Sequence, residues 1–451
     1  MTPLRASGLT RRSVLSAGAA LPLAPRRAAA PGTPEAAPPA VVITDSAAMT
    51  ANGPTLPGME PFDRAMGELM GQWKLPGGQL AVARGPRLAL NRGYGIADPL
   101  AGEPVSPASR FRIASVSKPI TAVTALALVD AGRLTLDEPV FRLLSLEPPR
   151  NAEIDPRLAQ ITMRMLLTHA GGWDSTNGMD PQYLPMSAMA ATILGVDNPP
   201  AAEQIVRAML GFPLAFDPGT KSVYSNFGFN VIGRVIEAVT SERFGEAAQR
   251  LVLDPAGATE TKLGKTKLAD RARNEVVYVA PEGWPLSPSV YPGEGFVPNA
   301  YGGYFLEAMD SHGGFISTAS DLVKFTLAVD GTRGGPLLTP ATVREMIETP
   351  RPGSSDEPGG GPREYGLGWG VGMTDAGPAW SHAGALTGTC GSWISRNPDG
   401  TTIAVCFNSL PLDYGAFFAS AMTMLDEVAA SIAAWPDGDL FDGQATPAAG
   451  A

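Results

Sequence analysis

A long apolar segment, from Ser115 to Asp130, begins with a serine and a lysine three residues apart. Its apolar residues recur at helical spacing, and the Gly132 that follows is typical of a helix end. Residues three apart lie on one face of a helix, so Ser115 and Lys118 are predicted to be in contact. A serine hydroxyl needs a nearby base to act as a nucleophile, and a helix N-terminus adds a partial positive charge. The segment therefore predicts a rigid helix with a nucleophile at its start.

The bulk composition is that of a packed globular protein. The chain has 451 residues, of which 44% are apolar and 17% are charged, and this argues against global disorder. The net charge of −10 argues against a nucleic-acid partner, because phosphate recognition needs clustered lysine and arginine. Outside the N-terminal region there is no run of 18 apolar residues, so no transmembrane helix is predicted.

The first 56 residues are predicted to precede the folded domain. Residues 1–30 hold the twin-arginine pattern Arg11-Arg12 before a modestly apolar stretch, which predicts an export signal peptide and a periplasmic or secreted bacterial protein. An ordinary basic tail is the alternative interpretation. Residues 31–56 are rich in alanine and proline and are interpreted as a linker.

Apolar periodicity predicts an α/β (α+β) fold in residues 57–435. The two ends are expected to share one antiparallel sheet flanked by N- and C-terminal helices, with strands near 77–83, 87–96, 380–385, 389–395 and 401–408 and helices near 59–73 and 416–435. This α/β lobe covers about 57–110 and 345–435. A mostly helical lobe is expected at about 111–344, and residues 436–451 are predicted to be a flexible tail.

Two cysteines flank a predicted hairpin turn. Cys390 and Cys406 lie on either side of Asn397-Pro398-Asp399-Gly400, which is typical of a tight turn between strands. The strand register decides whether the two side chains share a face, so a disulfide and two buried thiols are both open.

A tyrosine and an asparagine form the second candidate motif, Tyr224-Ser225-Asn226. A phenol beside an ammonium group can take or give a proton, and an amide can orient a lysine or hold a substrate. The alternative is a packed loop tyrosine with Asn226 as a helix N-cap.

The third candidate motif is His382-Ala383-Gly384-Ala385 on a predicted strand. Small residues after the histidine allow a substrate to lie close to the backbone. A backbone N–H of this strand and the N–H of Ser115 would together form an oxyanion hole. The alternative is a histidine at a strand edge with an ordinary hydrogen bond.

The three motifs, in this order and spacing, resemble those of the serine β-lactamase and penicillin-binding protein superfamily. The similarity is closest to the class C β-lactamase-like branch, which includes family VIII carboxylesterases, D-aminopeptidases and D,D-peptidases. It spans about residues 60–430, including the stretches 166–169, 313–319 and 365–370. The resemblance implies a β-lactamase-like fold with the active site between an α/β lobe and a helical lobe.

The resemblance also implies roles for single residues. Ser115 would be the nucleophile, and Lys118 and Tyr224 would share acid and base work. The remaining positions would bind substrate or the oxyanion, and they are Asn226, His382, Ala383, Gly384 and Ala385. No metal site or cofactor is expected, because the three histidines are far apart in sequence and there is no His-Glu-x-x-His motif.

His382 departs from the superfamily pattern, in which β-lactam-active members usually carry lysine. A histidine is mostly neutral at pH 7, and Ala383 lacks the hydroxyl of the usual threonine, so recognition of an anionic substrate is weakened. We therefore expect an exported serine hydrolase that cleaves a small-molecule ester or small amide through a Ser115 acyl-enzyme. A cell-wall D-amino-acid peptidase, a class C-like β-lactamase and a penicillin-binding sensor without turnover remain alternatives. The oligomeric state and the acyl group are open.

Overall fold

The computed structural model of this chain describes residues 51–177, 180–348 and 364–442. The predicted signal peptide, residues 31–50 of the predicted linker and residues 443–451 of the predicted tail lie outside the described residues.

Most strands of the structure are short and antiparallel. In chain order they are β1 (Ala51–Asn52), β2 (Gly77–Arg84), β3 (Arg87–Asp98), β4 (Glu103–Pro104), β5 (Phe111–Arg112), β6 (Lys262–Leu263), β7 (Ser287–Pro288), β8 (Phe296–Val297), β9 (Phe315–Ser317), β10 (Glu364–Tyr365), β11 (Gly370–Thr374), β12 (Gly377–Leu386), β13 (Cys390–Arg396) and β14 (Thr401–Phe407). The main sheet has the order β1-β3-β2-β14-β13-β12-β11-β10, with β4 paired to β3.

The helices lie at both ends and throughout the middle of the chain. They are α1 (Glu60–Gln72), α2 (Ser117–Asp130), α3 (Met163–Leu167), α4 (Met186–Leu194), α5 (Ala202–Met209), α6 (Asn226–Thr240), α7 (Phe244–Ala248), α8 (Ala319–Val329), α9 (Pro340–Glu348) and α10 (Tyr414–Ser431). None of these described helices combines the length and the apolar character that crossing a membrane requires.

Strands from the two ends of the chain meet in the middle of the main sheet. β2 pairs with β14 from Gly78 opposite Phe407 to Arg84 opposite Thr401. The turn after β13 closes its hairpin as expected, with the Asn397 N–H donating to the Thr401 carbonyl and Gly400 at φ 95°. The predicted fold class is confirmed, because a single antiparallel sheet holds the strands of both chain ends.

Helices cover both faces of this sheet. Successive side chains of β2 point to opposite faces of the sheet. Leu80 and Val82 pack in an apolar cluster with α1 and α10. Ala81 and Ala83 pack in a second, larger cluster with α2 and α8. The helix α8 packs on β2, β13 and β14, although it lies inside the range 111–344 that periodicity assigned to the helical lobe. A helical pattern shows which residues are apolar but not which surface they cover, so this assignment needed the tertiary structure.

Two segments predicted to be irregular are partly ordered. In the linker range, β1 pairs with Tyr94 and Gly93 of β3, and Leu56 is buried. In the tail range, Asp439 forms an ion pair with Arg333. These contacts link residues far apart in sequence, so a composition rich in alanine and proline does not reveal them.

The two cysteines are free and buried. The register pairs Cys406 with Ser392, so Cys390 and Cys406 share a face of the sheet but are offset by two residues. Diagonal neighbours of this kind are about 7–8 Å apart, beyond the usual reach of a disulfide. Of the two alternatives, the structure has the buried thiols.

Candidate active site

Ser115 lies in a single 3-10 turn, Ala114–Val116, that leads directly into α2. Ala114 has a φ of 46°, a left-handed conformation that costs a non-glycine residue about 1–3 kcal/mol. The turn redirects the chain after β5, so that Ser115 is partly exposed while both of its neighbours are buried. Since nearly all of α2 is buried, the nucleophile candidate stands on a firmly packed helix.

Lys118 is fully buried, with 0% of its surface exposed. Its Nζ donates to Ser115 Oγ at 3.0 Å, to Asn226 Oδ1 at 2.8 Å and to the His312 carbonyl oxygen at 3.0 Å. The ammonium group also lies 4.6 Å from the centre of the Tyr224 ring. The predicted contact between Ser115 and Lys118 is present, and the ammonium is held in one place by acceptors from three segments.

The phenol of Tyr224 also contacts the Ser115 hydroxyl. Its Oη donates to Ser115 Oγ at 2.7 Å. The following residue, Ser225, is the N-cap of α6, and its Oγ accepts from the Gly228 N–H at 3.1 Å. Asn226 is therefore not the cap, and its side chain is available to Lys118.

His169 packs against the ring of Tyr224. The two rings pack with their centres 4.5 Å apart, and His169 Nδ1 accepts from the Ser225 N–H at 3.1 Å. Tyr365 packs on the other side of His169, with ring centres 4.6 Å apart. These contacts position the phenol against Ser115.

The His382 ring is buried and held at both nitrogens. Nδ1 lies 2.7 Å from the Ala383 carbonyl oxygen, and Nε2 lies 2.9 Å from Tyr365 Oη. A carbonyl oxygen only accepts, so Nδ1 carries the proton and Nε2 accepts from the tyrosine. Burial, reinforced by the charge of Lys118, lowers the pKa of His382 to about 3. The third motif therefore presents a neutral imidazole.

β12 approaches Ser115 most closely at Gly384. A Cβ placed there would lie 2.2 Å from the Ile113 carbonyl oxygen and 3.1 Å from the Ser115 backbone nitrogen. β11 pairs with β12 only from Gly377 to Ser381, so residues 382–386 have no strand partner on that side among the described residues. Along an unpaired strand edge, every second backbone N–H points away from the sheet. The N–H groups near Ala385 are therefore candidates for the donors that an oxyanion hole needs.

Asp180 lies directly behind Asn226. Its Oδ2 accepts from Asn226 Nδ2 at 2.7 Å, and its Oδ1 accepts from the Gln182 N–H at 3.0 Å. Burial raises the pKa of the Asp180 carboxyl, and the N–H donors and the charge of Lys118 oppose that rise. Asp180 was not predicted as a site residue, because nothing in the local sequence around it marks a functional site.

Hydrogen bonds join Ser115, Lys118, Tyr224 and Asn226, and Gly384 lies beside the Ser115 backbone nitrogen. His382 is close enough to Lys118 for the ammonium charge to lower its pKa. The side chains of Ala383 and Ala385 pack instead against the apolar cluster of α1 and α10, on the other face of the sheet. The oxyanion role of Ala385 and the catalytic roles remain predictions. Tyr365 was not predicted as a site residue, although it begins a stretch that resembles the superfamily. In the described residues, no group of three or more His, Cys, Asp or Glu side chains is placed to hold a metal ion.

Two relatives of similar sequence are esterases. Esterase EstB of Burkholderia gladioli is 29% identical over 376 residues, which cover 77% of this chain and 88% of that protein. Lovastatin esterase of Penicillium rubens is 32% identical over 253 residues, which cover 52% of this chain and 58% of that protein.

A solved structure shares the fold. D-amino acid amidase from Ochrobactrum anthropi superposes with a TM-score of 0.64 at 22% identity, covering 83% of this chain and 98% of that chain. A family model described as Beta-lactamase matches residues 62–418. The resemblance seen in the sequence is thus confirmed, and the chain is a serine hydrolase that belongs to the beta-lactamase family.

Proposed function

We propose that this protein hydrolyses carboxylic esters through an acyl-enzyme formed on Ser115. The observation that carries the proposal is the position of Ser115 Oγ, which lies 3.0 Å from Lys118 Nζ and 2.7 Å from Tyr224 Oη. A serine with two proton-exchanging groups in direct contact has what nucleophilic catalysis requires.

In the first half of the proposed reaction, Ser115 Oγ bonds to the ester carbonyl carbon. Its proton passes to whichever of Lys118 and Tyr224 is deprotonated at that moment. The tetrahedral oxyanion accepts from the N–H groups of Ser115 and Ala385. When this intermediate collapses, the bond to the alcohol oxygen breaks, and the same proton moves to the departing alcohol.

In the second half, a water molecule replaces the alcohol. The water oxygen bonds to the acyl carbon and gives a proton to the same base. The bond to Ser115 Oγ then breaks, the serine takes the proton back, and the carboxylic acid leaves. Lys118 and Tyr224 thus act first as base and then as acid in each half of the reaction.

The third motif supports a neutral substrate. His382 has the proton on Nδ1 and no positive charge, and its Nε2 is occupied by Tyr365. Such a ring offers little attraction to a substrate carboxylate of the kind that a fixed lysine charge would hold. Two relatives, esterase EstB and lovastatin esterase, support the same substrate class.

The test is turnover of p-nitrophenyl acetate and butyrate by the wild type and by Ser115→Ala. We expect steady turnover by the wild type, with kcat/KM lowered at least about 1,000-fold in the variant. Ser117→Ala is a matched control, since the buried Ser117 Oγ accepts from the Phe315 N–H of β9 at 3.3 Å. Undiminished turnover by Ser115→Ala would exclude Ser115 as the nucleophile.

A substrate panel separates ester hydrolysis from its alternatives. It contains nitrocefin, a D-Ala-D-Ala peptide and D-aminoacyl amides beside the esters. We expect the highest kcat/KM on an ester. Higher values on a peptide, an amide or nitrocefin would reassign the substrate, and a stoichiometric burst without steady turnover would indicate a penicillin-binding sensor.

We also propose that the protein is exported, on the strength of the Arg11-Arg12 pattern alone. Cell fractionation of a bacterium that expresses the full chain tests this proposal. We expect the protein outside the cytoplasm, and accumulation in the cytoplasm when both arginines are replaced by lysine. Equal export of the wild type and the double variant would exclude the twin-arginine route.

A further inference from the structure

Asp180 and Asn226 form a hydrogen-bonded pair behind the catalytic lysine. Asp180 comes shortly before α4, and Asn226 is the first residue of α6, so the pair joins two segments that are distant in sequence. On its other side, Asn226 accepts from Lys118 Nζ at 2.8 Å. The three side chains form a continuous line from carboxylate to amide to ammonium.

The chemistry of the two outer groups determines the direction of the amide between them. A carboxylate accepts hydrogen bonds and an ammonium group only donates them. The amide nitrogen of Asn226 therefore faces Asp180, and its oxygen faces Lys118. A flipped amide would set two donors against each other at Lys118 and two acceptors at Asp180, so both contacts would become repulsive.

We propose that Asp180 is a positioning residue that holds the Asn226 amide in the orientation that accepts from Lys118, and thereby keeps Lys118 Nζ against Ser115. This inference rests on the proposed function, because the position of Lys118 matters only if Ser115 is the nucleophile. Since Lys118 is fully buried, water cannot replace a lost acceptor.

The second oxygen of Asp180 further restricts which side chain can occupy position 180. It accepts from the Gln182 N–H at 3.0 Å, so both oxygens of the carboxylate face N–H donors. An amide at position 180 would turn its own NH2 group toward one of those donors. Asp180→Asn thus keeps the shape of the side chain and disrupts the pattern of donors and acceptors.

An exchange of the two side chains restores that pattern in reverse. In the double variant Asp180→Asn/Asn226→Asp, the carboxylate at position 226 accepts from Lys118 and from the amide at position 180. The oxygen of that amide accepts from the Gln182 N–H. Every donor has an acceptor again, and the net charge is that of the wild type.

The experiment measures kcat and KM on p-nitrophenyl butyrate for the wild type, Asp180→Asn, Asp180→Ala and the exchange variant. We expect kcat to fall about 10- to 100-fold in both single variants, as follows from losing a hydrogen bond at a charged group. KM should change by less than about threefold, because the Asp180 carboxylate contacts Asn226 and the Gln182 N–H rather than Ser115. The exchange variant should recover at least about tenfold in kcat over Asp180→Asn.

Asp197→Asn is the matched control. Asp197 is exposed and lies in the same lobe, and we expect wild-type kcat and KM. Melting temperatures of all variants identify any that fails to fold. A variant that fails to fold cannot produce the predicted result. The prediction requires the exchange variant to regain activity although it still lacks Asp180.

Wild-type kcat in either single variant would overturn the proposal, and so would an exchange variant no more active than Asp180→Asn. These results differ from a failure of the proposed function. That failure would appear as an inactive wild type or as an undiminished Ser115→Ala.

Discussion

Tyr365 Oη donates to His382 Nε2 across 2.9 Å, while Nδ1 of the same ring donates to the Ala383 carbonyl oxygen across 2.7 Å. The two contacts hold the imidazole in one neutral tautomer. The site therefore offers neither a positive charge nor a free donor from this ring. Burial and the charge of Lys118 keep this ring neutral, and Tyr365, which comes from another strand, fixes the nitrogen that carries the proton.

Replacement of Tyr365 by phenylalanine tests this contact. The change leaves His382 Nε2 as a buried acceptor without its donor, so we expect the free energy of unfolding to fall by about 1–3 kcal/mol. Urea denaturation provides the measurement. Tyr414→Phe is the control, because the Tyr414 hydroxyl makes no side-chain hydrogen bond among the described contacts, and its stability should stay within about 0.5 kcal/mol of the wild type. An equal loss in both variants would contradict the prediction.

The buried His382 ring should make the protein less stable in mild acid. Its pKa is about 3 in the folded protein and about 6.5 in an unfolded chain, so between these values the unfolded state binds more protons. Stability is thus complete above pH 6.5 and is lost as the pH falls. From pH 7 to pH 5 we expect the wild type to lose about 2 kcal/mol more than His382→Gln.

Two measurements check the behaviour of His382. Urea denaturation at pH 7 and pH 5 gives the stability difference between wild type and variant. Imidazole NMR follows the ring directly, and assignment is tractable because the chain has three histidines. A His382 resonance that titrates near pH 6.5 in the folded protein would refute the prediction.

Gly384 is expected to tolerate no side chain. In Gly384→Ala the new Cβ would meet the Ile113 carbonyl oxygen at 2.2 Å and the Ser392 Oγ at 2.4 Å, so β12 must move away from Ser115. We expect about 1–3 kcal/mol of destabilisation and at least about a 100-fold loss of kcat/KM. Gly372→Ala on β11 is the control, since its Cβ would meet nothing within 4 Å. Equal activity of the two variants would show that the close approach is unimportant.

Both cysteines should resist modification until the protein unfolds. Burial raises the pKa of Cys390 to about 12 and raises that of Cys406 as well, so little reactive thiolate forms at pH 8. We expect no reaction with Ellman's reagent in the native protein, and two thiols per chain in guanidinium chloride without reductant. Fewer than two thiols after denaturation would indicate a disulfide.

The cluster of candidate site residues was largely predictable from local patterns. Ser115 and Lys118 are three residues apart on a helix, so helical geometry alone brings them together. Tyr224 and His382 were found because short motifs with a recognisable chemistry surround them. The shared sheet also followed from the sequence, since strand periodicity appears at both ends of the chain.

The partners of those residues were decided by the tertiary structure. Asp180 and Tyr365 each contact the site through one side chain, and neither stands in a local pattern that shows which residue it faces. The tertiary structure also decided which surface α8 covers and how far the two cysteines are offset across the sheet. Sequence periodicity reports the side of an element on which a residue lies, whereas contacts between distant segments depend on how the elements pack, which no local pattern records.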